Sequence, residues 1–203
     1  KQKDLLGRIY RQSETMSGII NELLDLARIE SRQGKDFTLG AEDLSDLVHE
    51  VIQDFKTPEG RDAPIVDVAV GETMVWVDRK KMQQAVLNVL SNAYKYSPKG
   101  GEVKVQFLSR AVEGQAQLGI QIIDQGIGLS PDQLARVGER FYRADKSGNI
   151  PGTGLGVTIV KEILELMGGT MDLASEFGQG TQVTLWVPQM VLNRVHAAMT
   201  EIA

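Results

Sequence analysis

Residues 81–96 read KMQQAVLNVLSNAYKY, and the rest of the chain is organised around this stretch. Its apolar residues recur at helical spacing, which predicts a helix with one side facing a core. The apolar side consists of Met82, Val86, Val89, Leu90 and Ala93. A second side carries Asn88, Asn92, Lys95 and Tyr96. Periodicity alone is equally typical of an ordinary solvated helix surface, so the function of this polar side depends on segments further along the chain.

Glycine clusters occur at two places after the helix. The apolar run LGIQIID ends at Asp124 and continues as DQGIG (124–128), and GTGLG (152–156) leads directly into the helical pattern VTIVKEILELM. A basic and aromatic segment, ERFYRAD (139–145), lies between them. A glycine cluster alone is weak evidence, because glycine also serves plain turns. The order of the four segments is the informative feature.

This order resembles the ATP-binding domain of sensor histidine kinases, members of the wider GHKL ATPase superfamily. NVLSNAYKYS is similar to the family's N box, DQGIG to its first glycine box, ERFYRAD to its F box and GTGLG to its second glycine box. The resemblance implies the Bergerat (GHKL) fold, with ATP and Mg²⁺ as cofactors. It also implies transfer of the γ-phosphoryl group to a histidine, for relay to a response regulator aspartate in two-component signalling.

The first residues predict a long bundle-forming helix. Apolar residues of 5–30 follow heptad spacing in a widened stripe, which one helix cannot bury alone. The resemblance makes residues 1–36 the second helix of the dimerisation and phosphoacceptor hairpin, with homodimerisation through residues 5–30. A helix docked on its own domain is the alternative. Residues 33–36 are the predicted boundary, followed by the catalytic domain (37–190) and a tail (191–203).

The remaining pattern predicts an α/β fold, a two-layer sandwich with helices on one face of a mixed, mostly antiparallel sheet. A helix is expected at 42–55, and Asp78 is expected to cap the central helix. Strands are expected at 37–39, 65–70, 74–77, 102–108, 117–123, 170–174 and 181–187.

Asp124 is the first candidate site residue. It ends an apolar strand, where an ionised carboxylate is costly unless it is paired or hydrated. By resemblance it reads the exocyclic amino group of adenine, and Gly126 and Gly128 let the backbone approach the purine. A turn-initiating aspartate before glycine is the alternative.

The resemblance assigns the phosphate and metal contacts to three segments. Asn92 is the principal Mg²⁺ ligand with Asn88 in support, both as neutral amide oxygens. Lys95 supplies a point charge for phosphate, and Tyr96 packs against the nucleotide. Arg143, with Arg140 and Lys146 as weaker candidates, belongs to the family's lid over the phosphates. The loop that opens the next helix is expected to bind phosphate through Gly152, Thr153, Gly154, Leu155 and Gly156.

Three residues depart from the family pattern. Gly138 precedes ERFYR, Pro151 precedes the glycine loop, and Met167 precedes the paired glycines. They bear on the behaviour of the lid more than on nucleotide contacts.

The chain has two histidines, His49 and His196, and neither lies in the family's phosphoacceptor context. The phosphoacceptor is therefore expected upstream of Lys1 in a longer protein. No catalytic residue is expected within this sequence, which should bind ATP without phosphorylating itself. Expected partners are ATP, the upstream phosphoacceptor helix and a response regulator receiver domain.

Composition narrows the alternatives. With 22 basic and 27 acidic residues, and no basic stripe interleaved with aromatics, nucleic acid is not expected as a partner. The absence of cysteine excludes disulfides. The resemblance implies a cytoplasmic domain, whether or not other segments of the parent anchor it in the inner membrane.

A clamp-type ATPase is disfavoured, because MQQAVLNVLSN lacks an acidic residue to activate water. A degenerate nucleotide-binding or scaffold domain without kinase activity is the alternative from another class.

Overall fold

The computed structural model describes residues 2–145, 150 and 152–190. Lys146, Pro151, His196 and the predicted tail (191–203) therefore lie outside the described residues.

Helix α1 spans Gln2–Arg32, which confirms the long helix predicted at 5–30. Near its carboxyl end, Leu26 and Ile29 are buried against the rest of the chain. Further towards the amino terminus its large apolar side chains are exposed: Leu5, Leu6, Ile9, Tyr10, Met16, Ile20, Leu23 and Leu24. The helix is thus docked on its own domain near its carboxyl end, and large apolar side chains nearer its amino terminus are exposed.

The connection after α1 differs from the prediction. The strand predicted at 37–39 is wrong, because the amide of Thr38 donates to Oδ2 of Asp78 (2.6 Å) instead of to a neighbouring strand. Strand β1 is Gly40–Asp43, and it pairs antiparallel with β3 (Met74–Val77) in a small separate sheet.

The next helix, α2, spans Leu44–Asp54. It begins later than the predicted Glu42 because Asp43 is its N-cap, accepting from the amides of Ser45 (2.8 Å) and Asp46 (3.2 Å).

The central helix, α3, spans Arg79–Lys95. As predicted, Asp78 caps it, since Oδ1 accepts from the amide of Lys81 at 2.9 Å. The apolar side predicted from the sequence is buried throughout, from Met82 to Ala93.

The main sheet has five strands in the order β2-β4-β5-β7-β6. They are β2 (Ile65–Asp67), β4 (Val103–Val112), β5 (Gln115–Asp124), β6 (Thr170–Glu176) and β7 (Gly180–Pro188). Only the β2–β4 pair is parallel, and the other pairs are antiparallel. The predicted mixed, mostly antiparallel sheet is confirmed, although β2 is shorter than the strand expected at 65–70.

Two further helices complete the fold. Helix α4 (Pro131–Arg136) was not predicted, although Ser130 and Gln133 form a capping box at its start. Helix α5 (Gly156–Leu166) confirms the helical pattern after the second glycine cluster, and it packs against α3 and α1. Buried apolar residues of α2, α3, α5 and the sheet form one core. Among the described residues, none of the helices is both long enough and apolar enough to cross a lipid bilayer.

Candidate functional site

A cavity of about 210 Å³ lies where α3, the turn after β5 and the start of α5 meet. Of the predicted site residues, ten line it: Asn88, Asn92, Lys95, Tyr96, Asp124, Gly128, Gly152, Thr153, Gly154 and Gly156. The fold therefore brings together segments that are far apart in the sequence. Gly126, Leu155 and Arg143 do not line the cavity.

Helix α3 contributes the neutral polar wall of the cavity. Asn88 and Asn92 lie one helical turn apart. Within the described part of the chain, neither amide side chain has a hydrogen-bond partner. A Cβ added at Gly156 would lie 3.9 Å from Nδ2 of Asn92, so the start of α5 is next to this side chain. The two amides are thus free to bind a ligand in the cavity.

Lys95 is the cation of the cavity, and its Nζ lies 5.3 Å from the ring centroid of Tyr96. Burial lowers the pKa of Lys95, the positive charge of Arg143 lowers it further, and the nearby Glu22 carboxylate acts in the opposite direction. The lowered pKa shows that the ammonium group lacks full compensation, so an anionic ligand here would be favourable.

Asp124 also lines the cavity and is only 7% exposed. Its Oδ1 accepts from the amide of Gly126 at 2.8 Å and lies 3.5 Å from Oγ of Ser97. Burial raises the pKa of Asp124, while hydrogen bonds from Gly126, Thr181 and Ser97 partly offset that effect. A buried carboxylate beside an open cavity can accept a hydrogen bond from a ligand donor.

The glycines of the first cluster pack closely against backbone atoms of other segments. A Cβ at Gly126 would collide with the carbonyl oxygen of Tyr96, and a Cβ at Gly128 would collide with that of Glu176. Gly128 also has a positive φ of 61°. Both glycines are therefore required by close packing of backbone on backbone, and only Gly128 reaches the cavity.

The second glycine cluster forms the start of α5. Thr153 Oγ1 accepts from the amide of Leu155 at 3.1 Å and donates to a carboxylate oxygen of Glu22. Leu155 itself is completely buried in the core, so its side chain cannot contact a ligand. Gly154 has φ of 78° and its carbonyl accepts from the amide of Phe141 at 3.2 Å, which fixes this loop to residues 139–145.

The arginines predicted to cover the phosphates do not line the cavity, although Arg143 is close enough for its charge to act on Lys95. Arg143 donates to the carbonyl oxygen of Ile150, and Arg140 forms an ion pair with Glu30 of α1. Both border a second, more open depression among residues 136–145. Lys146 lies outside the described residues.

The structure also places residues in the cavity that the sequence did not single out. Glu22 comes from α1, and apolar and hydroxyl side chains come from the sheet: Ile122, Met171, Leu173, Thr181 and Val183. Inward-facing alternation in the strands was visible in the sequence, but it does not distinguish a cavity wall from a core. The contact of Glu22 with Thr153 spans 131 positions, and no local pattern signals it.

Of the described residues that depart from the family pattern, Gly138 lines the cavity and Met167 does not. Gly138 has φ of 99° and lines the cavity, where a Cβ would collide with Nζ of Lys161. Met167 ends α5 as its C-cap and is buried. Pro151 lies outside the described residues.

The histidine in the described region, His49, is exposed on α2 and hydrogen-bonds the carbonyl oxygen of Ser45 through Nδ1 (2.7 Å). It does not line the cavity. Across residues 2–145, 150 and 152–190, no group of three or more His, Cys, Asp or Glu side chains could hold a metal ion.

A family model described as "Histidine kinase-, DNA gyrase B-, and HSP90-like ATPase" matches residues 77–191. The sensor histidine kinase WalK of Bacillus subtilis is 34% identical over 197 residues, which cover 93% of this chain and 31% of that protein. The sensor histidine kinase RppB of Synechocystis is 32% identical over 200 residues, covering 95% of this chain and 42% of that protein. The chain thus spans well under half the length of these relatives.

Solved structures with the same fold include full-length ShkA in complex with AMPPNP, with a TM-score of 0.73 and 23% identity. That match covers 94% of this chain and 39% of ShkA. The mycobacterial sensor histidine kinase MprB matches with a TM-score of 0.60 and 29% identity, over 74% of this chain and 97% of that chain.

Proposed function

Because this chain belongs to the family of histidine kinase-, DNA gyrase B- and HSP90-like ATPases, and contains a catalytic ATP-binding domain of the sensor histidine kinase type, we propose that its cavity binds Mg-ATP for phosphorylation of a histidine outside the sequence. The histidine would pass the phosphoryl group to a response regulator aspartate. The observation that carries the proposal is the convergence of Asn92, Lys95, Asp124 and the start of α5 on one cavity.

Different residues of the cavity suit the two ends of a nucleotide. At one end, the Asp124 carboxylate can accept a hydrogen bond from the amino group of adenine. At the other end, Lys95 offers a positive charge and the start of α5 offers free backbone N–H groups and its dipole. Apolar side chains such as Ile122 and Val183 also line the cavity and suit a purine face.

The Asn88 and Asn92 side chains fit a Mg²⁺ ion bound with the triphosphate. Mg²⁺ prefers oxygen ligands and usually takes several of them from phosphate and water. Two neutral amide oxygens face the cavity without partners among the described residues, and they add no negative charge beside the nucleotide. Bound Mg-ATP would supply the γ-phosphoryl group, and the protein would contribute mainly positioning and charge neutralisation.

The chain organisation supports a role in a larger assembly. We propose that residues 1–36 are the second helix of a dimerisation and phosphoacceptor hairpin, and that 37–190 are the catalytic domain. The positive φ of Gln33 (46°) and Gly34 (75°) breaks the helix at the proposed boundary. The proposed partners are the upstream phosphoacceptor helix, a receiver domain and a second copy of the chain. A degenerate scaffold is not favoured, because the cavity keeps its polar and basic side chains.

The test is binding of ATP, measured by calorimetry with and without magnesium. We expect Asn92→Ala to weaken Mg-ATP binding at least about tenfold, or about 1.4 kcal/mol, because a metal ligand is lost. Gln83→Ala is the matched control, since Gln83 lies on the same helix and bonds Glu50 outside the cavity. Equal binding by wild type and Asn92→Ala would contradict the assignment.

Kinase activity needs a second measurement. Labelled phosphate should pass from ATP to an added helical hairpin that carries a phosphoacceptor histidine, and no label should remain on this chain alone. Label on His49 or His196 would contradict the proposal.

A further inference from the structure

Glu22 of α1 is the one acidic side chain from outside the catalytic domain, among the described residues, that lines the cavity. It lies one helical turn before Leu26, which is buried together with Ile29 against the body of the protein. The side of α1 that packs on the domain through Leu26 therefore also carries Glu22, which reaches the cavity. Glu22 is held there by the packing of its own helix.

The carboxylate of Glu22 accepts a hydrogen bond from Oγ1 of Thr153. Thr153 Oγ1 in turn accepts from the amide of Leu155, immediately before α5 begins at Gly156. The start of an α-helix favours an anion through its free N–H groups and its dipole. An anion is already present at this helix terminus, and it belongs to the protein itself.

The same carboxylate also interacts with the cation of the cavity. Glu22 acts to raise the pKa of Lys95, against the lowering caused by burial and by Arg143. Glu22 thus interacts with both groups, Lys95 and the start of α5, that would receive nucleotide phosphates. Like charges a few ångströms apart in a partly buried site repel strongly. The cavity is also small at about 210 Å³ with α1 docked, against roughly 300–1,000 Å³ for common ligand pockets.

Two other acidic residues of α1, among those the structure describes, form contacts outside the cavity. Asp25 accepts from Nε2 of Gln84 at 3.2 Å, and Glu30 pairs with Arg140. These contacts hold the helix on the domain without placing charge at the phosphate end. They therefore provide controls that separate docking of the helix from its effect on the site.

We propose that Glu22 stands in for a nucleotide phosphate, so that docking of α1 on the catalytic domain and binding of nucleoside triphosphate are antagonistic. This inference rests on the proposed function and adds that the negative charge of Glu22 regulates nucleotide binding at the same site. When α1 is docked, the carboxylate occupies the phosphate end of the site. When a triphosphate binds, Glu22 must leave Thr153, and this end of α1 loosens. By thermodynamic linkage, docking of α1 lowers the affinity for the nucleotide by a certain factor. Bound nucleotide lowers the equilibrium constant for docking of α1 by the same factor.

The antagonism depends on phosphate charge and not on the base. Adenosine should bind equally well to wild type and to a variant without the carboxylate, because neither adenine nor ribose meets Glu22 in this arrangement. The effect should grow from ADP to ATP, since each phosphate adds negative charge near the carboxylate.

The test compares Glu22→Gln with Asp25→Asn in the full chain, using adenosine, ADP and ATP in the presence of magnesium. Glu22→Gln keeps the shape and a hydrogen-bond acceptor for Thr153 but removes the charge. We expect it to bind ATP about 5-fold to 30-fold more tightly, in the range of coupling free energies between sites. Adenosine binding should be unchanged, and Asp25→Asn should leave the ratio of ATP to adenosine affinity at the wild-type value.

Three results would overturn the inference. One is ATP affinity of Glu22→Gln equal to that of wild type. Another is weaker ATP binding by Glu22→Gln in magnesium only, which would make Glu22 a metal ligand. The third is an equal gain in Asp25→Asn, which would reflect general loosening of α1. A chain that binds no adenine nucleotide in wild type or variant form would instead refute the proposed function.

Discussion

The environment of Asp124 disfavours the ionised form of its carboxyl group. It is buried at the end of β5, and burial raises its pKa despite the hydrogen bond from Gly126. A group whose pKa is raised on folding binds protons more tightly in the native state, so its ionised form costs stability at neutral pH. Carboxylates kept under such conditions are commonly functional.

We therefore expect Asp124→Asn to raise the Tm of the ligand-free protein at pH 7 by a few degrees and to abolish discrimination of ATP from GTP. The cost of the wild-type carboxylate is full above its raised folded pKa and disappears as the pH falls below 3.8, the ordinary aspartate value. The Tm difference should accordingly shrink on acidification, which thermal scans across pH measure. A lower Tm for Asp124→Asn at pH 7 would contradict this account.

Elements of this fold begin and end where individual side chains bind backbone groups. Asp78 caps α3 through one carboxylate oxygen and holds the connection after α1 through the other, which accepts from Thr38. The position of α3 and the path of the chain that leads into the domain thus depend on one residue.

Replacement of Asp78 should separate these two contributions. Asp78→Asn keeps an acceptor for the Lys81 amide but loses one for Thr38, so we expect a cost of ~1 kcal/mol in the free energy of unfolding. Asp78→Ala loses both and should cost ~2 to 3 kcal/mol. Urea denaturation measures both values. An equal cost for the two variants would show that the capping contact with the Lys81 amide contributes nothing.

The sequence predicted helices and strands well where they depend on local residue patterns. It predicted them less well where they form only by pairing with a segment distant in the chain. The apolar side of α3 and its Asp78 cap follow from spacing and side-chain chemistry. Strand β1 was missed because Gly40 and Asp43 have little strand propensity, and the strand forms only by pairing with β3. The β4–β5 hairpin extends beyond its predicted ends through a tight turn at Glu113 and Gly114, both with positive φ.

In the cavity, the polar residues of α3 were predictable because they share one side of a helix. The packing role of Gly126 and the entry of Glu22 were not, since each depends on a segment distant in the chain.

At the scale of the whole molecule, α1 leaves a long apolar surface uncovered. Side chains such as Ile9, Met16 and Leu24 are 56%, 61% and 60% exposed. Exposed apolar surfaces of this extent mark interaction sites in most proteins. Leu26, which the heptad pattern assigned to the same surface, is instead buried within the chain, so only the earlier part of the helix is available to a partner.

We expect the chain to be a dimer in light scattering, and Ile9→Lys combined with Met16→Lys to make it a monomer. Point substitutions are preferable to deletion of residues 1–36, which would also remove Leu26 and Ile29 from the core. Leu87→Lys is the control, because Leu87 is 45% exposed on α3. A monomeric wild type at high concentration would contradict the dimer.

The parallel pairing of β2 with β4 requires the intervening chain to cross from one end of the sheet to the other, and α3 lies in that crossover. The other walls of the cavity come mainly from chain beyond β5. The cavity therefore lies between stretches that are far apart in the sequence, and a local opening that detaches α5 would open it while the antiparallel strands stay paired. Ligand release from such a cavity requires only local opening of the domain, without global unfolding.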